Sequence, residues 1–171
     1  MGGGLLGIAF TRYNETITLY ILLGKERKNG LWCDLGGGSY PQESTFDTAL
    51  REFYEESNGL IYDIDELETI VKKNLICQIT TDSYTSYVFK MKYDKNLPKI
   101  FENSNKFAER KLKYAITNQK NGLFEKVKIQ WFPLNHFKNP ENKKKLRPFF
   151  ITHIDYLLNH EEEIKKTITF I

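Results

Sequence analysis

The sequence predicts a mixed α and β protein, an α+β arrangement within the broad α/β class, in which helices cover a mixed β-sheet. Two observations predict it. Short strand-like segments alternate with helical ones along the chain, and one of the helices directly follows a run of three glycines. At 171 residues the chain is long enough to bury one substantial core. We therefore expect a single domain over residues 1–171.

Most of the predicted strands lie in the first half of the chain. Residues 5–10 and 16–23 are apolar runs separated by a polar turn, and residues 32–35 form a short run before the glycines. Residues 75–80 and 86–93 predict a further pair, in the second of which large side chains alternate. Residues 125–134 predict a late strand.

The clearest helical segment is residues 44–58. Its apolar side chains recur at the spacing of one helix face, Ser44 is the expected N-cap, and Asn58 and Gly59 tolerate the left-handed turn that ends helices. The segment therefore predicts an amphipathic helix behind the glycine loop.

Two more helices are predicted in the second half. Ser104 is the expected N-cap of a helix that runs to about residue 117, with Phe107, Leu112 and Ile116 on its inner face. This helix belongs to a basic segment, 94–124, that we interpret as an insertion. Pro148 is well placed to begin a C-terminal helix over residues 148–166. Residues 63–70 fit a short helix or a loop equally well.

Three acids on the first helix suggest a chemical role. Glu52, Glu55 and Glu56 stand at i, i+3 and i+4, so their carboxylates share one face. A divalent cation bound by carboxylate oxygens would relieve their mutual repulsion, as Mg²⁺ does beside substrate phosphates. The alternative is an acidic helix face that is simply solvated.

Residues 37–59 also carry a specific spacing of charges. They fill every charged position of the pattern GX5EX7REUXEEXGU, in which U is a bulky apolar residue. The stretch resembles the Nudix box. It departs from the pattern at Asn58, which replaces the final glycine, with Gly59 one residue later.

The resemblance implies a fold, an activity and a metal. The Nudix fold is a curved mixed sheet sandwiched between helices, and its enzymes hydrolyse pyrophosphate bonds with Mg²⁺, for which Mn²⁺ can substitute. The implied metal ligands are Glu52, Glu55, Glu56 and the Gly36 carbonyl, and Glu52 and Glu55 are implied catalytic residues.

The resemblance also implies support for this site. A pair formed by Arg51 and Glu43, with Gly37 beside it, would brace the loop against the helix. Such bracing orients metal ligands. Many members have a glutamate shortly before a strand that contains Trp-x-x-Leu, which makes Glu125 a candidate extra ligand or base. The alternative for Glu125 is an ordinary surface acid among lysines.

Charge is unevenly distributed. The chain carries +3 overall, but residues 1–93 hold 9 basic and 13 acidic side chains and residues 94–147 hold 14 and 5. An acidic half beside a basic half is typical of a metal site next to a groove for a polyanion, which can be RNA. The alternative is that the lysine-rich segment is ordinary solvent-exposed surface. Arg12, Lys25 and Arg27 lie in turns from which they can reach substrate phosphates.

Together these features predict a Mg²⁺-dependent pyrophosphohydrolase acting on a nucleoside-diphosphate-linked small molecule or on a polyanion such as capped RNA, as in mRNA decapping. A diphosphoinositol polyphosphate phosphohydrolase is one alternative. A catalytically silent module that binds RNA or protein is another, and a metal-binding protein of unrelated fold is a third. Two cysteines in apolar segments and the lack of a signal-peptide pattern or membrane span favour an intracellular, cytoplasmic protein. The sequence leaves the oligomeric state open between a monomer and a homodimer.

Overall fold

The computed structural model of the protein describes residues 1–112 and 123–170. The strands are β1 (Gly2–Tyr13), β2 (Thr16–Glu26), β3 (Trp32–Cys33), β4 (Leu35–Gly38), β5 (Leu75–Thr80), β6 (Tyr84–Lys90) and β7 (Lys126–Pro133). The helices are α1 (Thr45–Glu56), α2 (Ile64–Asn74), α3 (Leu97–Lys111), α4 (Pro140–Lys143), α5 (Pro148–Asn159) and α6 (Glu161–Phe170), with a 3₁₀ segment at Leu134–Lys138.

The described strands form one mixed sheet. The central path runs β3-β2-β1-β6-β5, with β4 paired to β1 and β7 paired to β2. Strands β1 and β6 are parallel, whereas every other pair is antiparallel. The predicted mixed sheet is therefore confirmed.

Helices cover both faces of the sheet. Successive residues of a strand point to opposite faces, and β1 shows the result: Leu5 belongs to a core with Ala49 and Phe53 of α1, whereas Leu6 belongs to a core with Phe150 of α5. The first core also contains side chains from α2 and α3, and the second contains side chains from α6. This sandwich confirms the predicted fold class.

Helix α1 begins and ends as predicted. The Ser44 hydroxyl accepts a hydrogen bond from the Asp47 N–H, which is the N-cap arrangement. Asn58 and Gly59 follow the helix with φ of 54° and 64°. Asn58 thus supplies the left-handed conformation for which glycine is the usual residue.

Several strands differ from their predicted limits. β1 is longer than the predicted 5–10 at both ends, because its glycines pair with β4 and β6 and its polar end stays paired across the hairpin with β2. β2 extends beyond the predicted 16–23 to Glu26, because its last residues pair with β3 and β7. β6 begins two residues earlier than predicted and ends at Lys90, because Tyr84 and Thr85 pair with the glycines of β1. Of the ambiguous residues 63–70, Asp63 is the N-cap of α2 and the others lie in that helix.

Helix α3 corrects the prediction for residues 104–117. It begins at Leu97, with a proline in its first turn, so Ser104 lies inside the helix and is not its N-cap. Its buried face contains Leu97, Phe101 and Ala108, whereas Phe107 is 63% exposed. Leu112 is also exposed, and the predicted inner residue Ile116 lies outside the described residues.

The C-terminal segment forms two helices instead of the single helix predicted over 148–166. Pro148 begins α5 as expected, but the helix ends at Asn159 and a second one begins at Glu161. The break redirects the chain so that Ile164 and Ile168 become buried in the same core as Phe150.

In residues 1–112 and 123–170, no helix combines the length and apolar character that a membrane crossing requires.

Candidate functional site

The acidic end of α1 faces the glycine strand β4. A cavity of about 330 Å³ lies between them, and Gly36, Gly37, Glu52, Glu55, Glu56 and Glu125 are among the residues that line it. The structure therefore brings together all of the acids that the sequence singled out as ligands, including one from a segment about 70 residues away.

Gly37 is required by the closeness of helix and strand. A Cβ atom at this position would lie 2.5 Å from the carboxyl carbon of Glu52. Gly38 differs, because a Cβ there would meet no atom within 4 Å. The absent side chain at Gly37 is what allows the Glu52 carboxylate to lie against the strand.

Arg51 and Glu43 form the predicted brace. Arg51 Nε donates to Glu43 Oε1 at 2.8 Å and its Nη2 donates to Oε2 at 3.0 Å, a two-pronged pair. Arg51 Nη2 also donates to the Gly38 carbonyl. The hydrogen bonds from Arg51 lower the pKa of Glu43 to about 2, so this carboxylate stays ionised at neutral pH.

Arg51 also contacts two of the glutamates on the acidic face. Its Nη1 donates to Glu52 Oε1 at 2.8 Å and to Glu55 Oε2 at 3.1 Å. Arg51 therefore offsets part of the mutual repulsion that the sequence predicts for these acids, through one oxygen of each. One guanidinium holds both side chains on the cavity side of the helix.

Glu56 lies deeper and is 3% exposed. Its Oε2 accepts the Gly36 N–H at 2.8 Å, and its Oε1 lies 3.2 Å from Lys126 Nζ. Burial raises the pKa of Glu56, whereas Lys126 and the Gly36 N–H favour its ionised form. Glu56 therefore joins the helix, the glycine strand and β7 at one point.

Lys126 is a residue that sequence reasoning missed. It is fully buried, and its Nζ lies 3.2 Å from Cys33 Sγ and 3.6 Å from Glu26 Oε1, besides its contact with Glu56. Burial would lower the pKa of Lys126, but Glu56, Cys33 and Glu26 outweigh it and raise the pKa, so the ammonium stays charged. A buried ammonium group is stable only when acidic or hydrogen-bonding groups compensate for its lost hydration.

A β-bulge explains why Lys126 points inward. Lys25 pairs with Lys128, but the next residue, Glu26, pairs with Lys126, so Val127 is an extra residue on β7. Strict alternation would leave Lys126 on the same face as the exposed Lys128. The one feature of the sequence that indicates a buried partner for Lys126 is the acid Glu26 at the end of the largely apolar strand β2.

Glu125 lies at the exposed rim of the cavity, immediately before β7. Partial desolvation and the nearby Glu52 carboxylate raise its pKa. Desolvation likewise raises the pKa of Glu55, where Glu52 and Glu125 add to the rise and Arg51 opposes it. These acids repel one another, as the sequence predicted.

The donor set fits a divalent cation. Among the described residues, no three acidic, histidine or cysteine side chains are placed so that they could hold a metal ion as a group. Arg51 pairs with Glu52 and Glu55, and Lys126 pairs with Glu56. However, Glu52 Oε2, Glu55 Oε1 and both Glu125 oxygens accept no hydrogen bond from any described residue. These hard oxygen donors line one cavity together with Gly36, which is the chemistry that Mg²⁺ prefers.

The predicted phosphate-binding cations are dispersed. Arg27 lines a second cavity beside the acidic one. Lys25 lies over the Trp32 ring, 6.0 Å from its centroid, and lines neither cavity. Arg12 lies near the hairpin tip, eight residues along β1 from Gly4, or roughly 26 Å of strand. Of the three, the structure places only Arg27 next to the acidic cavity, in the cavity that adjoins it.

Comparison with known proteins shows the fold. A Nudix hydrolase from M. smegmatis, RenU, is 12% identical, with a TM-score of 0.54 over 95% of this chain and 86% of that one. A bifunctional NMN adenylyltransferase/ADP ribose pyrophosphatase from Francisella tularensis, complexed with AMP and a manganese ion, is 17% identical, with a TM-score of 0.51 over 92% of this chain and 42% of that one. No protein-family model and no curated protein matches the sequence. The chain thus has a Nudix-like fold.

Proposed function

We propose that the protein is a Mg²⁺-dependent pyrophosphohydrolase that cleaves a phosphoanhydride in a nucleotide-linked substrate. The observation that carries this proposal is the convergence of Glu52, Glu55 and Glu125 on one cavity beside a glycine strand, braced by Arg51. The Nudix-like fold supports it, because it matches what the spacing of residues 37–59 implies.

Glu52, Glu55, Glu125 and the Gly36 carbonyl would hold the cation, with Glu56 as an inner ligand whose position Lys126 maintains. When bound there, a divalent cation supplies Lewis-acid assistance at the phosphate oxygens and lowers the pKa of a coordinated water. The manganese ion of the Francisella structure supports Mn²⁺ as a substitute.

The protein's own groups would handle the proton. Glu55 and Glu125 both have a raised pKa and both keep oxygens directed at the cavity. A carboxylate with a raised pKa is a better general base near neutral pH than an ordinary surface acid. Either residue would take the proton of the attacking water, and Arg51 would hold Glu55 in position through its 3.1 Å contact.

A hydrolysis screen tests the proposal. Nucleoside triphosphates, dinucleoside polyphosphates, ADP-ribose, capped RNA and diphosphoinositol phosphates would be incubated with and without Mg²⁺. We expect Glu55→Gln to lower turnover by on the order of 100-fold or more, because it removes both a ligand and a candidate base. Glu66→Gln, at an exposed acid of α2, is the matched control. Wild-type turnover by Glu55→Gln would refute the assignment.

The basic region 94–147 supports a polyanionic substrate such as capped RNA as one class within this activity. Its charge of +9 would make binding strongly dependent on salt. A steep loss of affinity between about 50 and 200 mM salt would favour that class. A flat response would favour a small nucleotide.

A further inference from the structure

A second cavity, of about 540 Å³, adjoins the acidic one. It shares Glu26, Glu56, Glu125 and Arg147 with the first cavity, so these four residues form a common wall. It is also lined by Arg27 and Lys28, neither of which lines the first cavity. A ligand that bridges the two cavities would thus pass from carboxylates to cations.

Arg147 is held at this wall from three directions. Its Nη1 donates to Glu26 Oε1 at 2.9 Å, its guanidinium carbon lies 4.8 Å from the centroid of the Phe149 ring, and its backbone N–H donates to the Trp32 carbonyl. Its side chain nevertheless remains 38% exposed. A guanidinium that is fixed and still accessible is suited to binding phosphate oxygens in a defined geometry.

The other two cations are positioned differently. Arg27 Nε donates to the Phe124 carbonyl and its Nη2 donates to Glu109 at 3.0 Å, and its side chain is 32% exposed. Lys28 is exposed and forms no ion pair with any residue that the structure describes. The cavity therefore presents two guanidiniums held by hydrogen bonds, Arg147 at the wall shared with the acidic cavity and Arg27 outside that wall, together with the Lys28 ammonium.

The charges of the wall do not exclude an anion. Glu26 is shared between Lys126 and Arg147, and Glu56 is paired with Lys126, so Glu125 is the acid on this wall without a cationic partner among the described residues. A divalent cation at Glu125 would make the wall positive on balance. For a phosphate chain bound in the acidic cavity, the second cavity is the adjoining space across the common wall.

We propose that this cavity, with Arg147 as its principal residue and with Arg27 and Lys28 also lining it, binds a third phosphate, next to the two that the scissile anhydride joins. The enzyme would accordingly prefer substrates with three or more consecutive phosphates over those with two. This inference rests on the proposed pyrophosphohydrolase activity and specifies its substrate class.

The test compares three substrates with the same nucleoside that differ only in the number of phosphates: the diphosphate, the triphosphate and the tetraphosphate. We expect wild-type kcat/KM to be higher for the two longer substrates. Arg147→Gln should lower kcat/KM for these by on the order of 10- to 100-fold, as expected for a lost hydrogen bond to a charged group, with little change for the diphosphate. Arg147→Lys, which keeps the charge but loses the planar fork, should lie in between.

A binding measurement provides a readout besides turnover. In a Glu55→Gln background with Mg²⁺, titration calorimetry would compare inorganic tripolyphosphate with pyrophosphate. Tripolyphosphate should bind more tightly, and adding Arg147→Gln should remove that difference. Lys73→Gln, at an exposed lysine of α2, is the charge control, and thermal unfolding confirms that each variant is folded.

The outcomes separate the two proposals. If neither this series nor any substrate of the wider screen is hydrolysed with Mg²⁺, the pyrophosphohydrolase assignment itself fails. If the only substrates hydrolysed are ones with two phosphates, the assignment stands and the subsite is overturned. If hydrolysis occurs but Arg147→Gln affects diphosphate and triphosphate equally, or if tripolyphosphate binds no more tightly than pyrophosphate, only the subsite is overturned.

Discussion

The Lys126 ammonium lies 3.2 Å from Glu56 Oε1, and both side chains are buried behind the acidic cavity. The same ammonium is 3.6 Å from Glu26, which also forms an ion pair with Arg147. One internal cation therefore connects the glutamate-bearing helix, strand β2 and the wall of the second cavity.

Replacing Lys126 by methionine should strongly destabilise the protein. The substitution leaves Glu56 buried without its cationic partner, and breaking a buried pair from one side costs about 3–5 kcal/mol. Chemical denaturation measures the change in the free energy of unfolding, with Lys128→Met, at an exposed lysine of the same strand, as the control.

The double variant Lys126→Met with Glu56→Gln should recover part of that loss, because no unpaired charge then remains at Glu56. Additive effects of the two substitutions would show that the pair is not coupled.

Alanine substitutions at two adjacent glycines should differ in their effect on metal binding and turnover. Gly37→Ala brings a Cβ to 2.5 Å from the Glu52 carboxyl group, whereas Gly38→Ala meets nothing within 4 Å. We expect Gly37→Ala to weaken Mn²⁺ binding and turnover by on the order of 10-fold or more, since Glu52 must move away from the strand. Gly38→Ala should retain both. Equal effects at the two positions would contradict the close approach of the Glu52 carboxylate to Gly37.

The Arg51–Glu43 pair should make stability depend on acid pH. The pKa of Glu43 is lowered from 4.5 to about 2 in the folded protein, so its contribution is fully present above about pH 4.5 and is lost as the pH falls towards 2. Glu43→Gln should therefore flatten the dependence of the unfolding free energy on pH between about 4.5 and 2. Denaturation curves at several pH values would measure this, with Glu66→Gln expected to follow the wild type.

Divalent cations should stabilise the folded protein. A ligand at 100 times its Kd adds about 2.7 kcal/mol, which in a protein of this size raises Tm by on the order of 5–10 °C. Thermal unfolding with and without Mg²⁺ measures the shift. Glu52→Gln should reduce it because a ligand is lost, while Glu66→Gln should leave it intact. An identical shift in wild type and Glu52→Gln would place the cation elsewhere.

Local patterns in the sequence predicted much of the site. The N-cap at Ser44, the left-handed end at Asn58 and the shared face of the glutamates all follow from spacings of a few residues, and the structure contains each of them. The limits of α3 were predicted wrongly, because an interior serine resembled a cap while the proline at the true start was overlooked.

The amino-acid sequence by itself determined the mixed fold and the acidic helix that follows the glycine run, because helical periodicity and caps are local properties of the chain. The glycines themselves, predicted as a loop, lie in strand β4, because they pair with the glycines of β1. Only the tertiary structure decided that Lys126 is buried and that Arg147 reaches Glu26, 121 residues away. Both depend on how distant strands pair: a single bulged residue in β7 reverses a side chain, and the bridge between Trp32 and the segment before α5 sets Arg147 at the cavity wall. Such long-range pairings leave no periodic signal in the residues that take part in them.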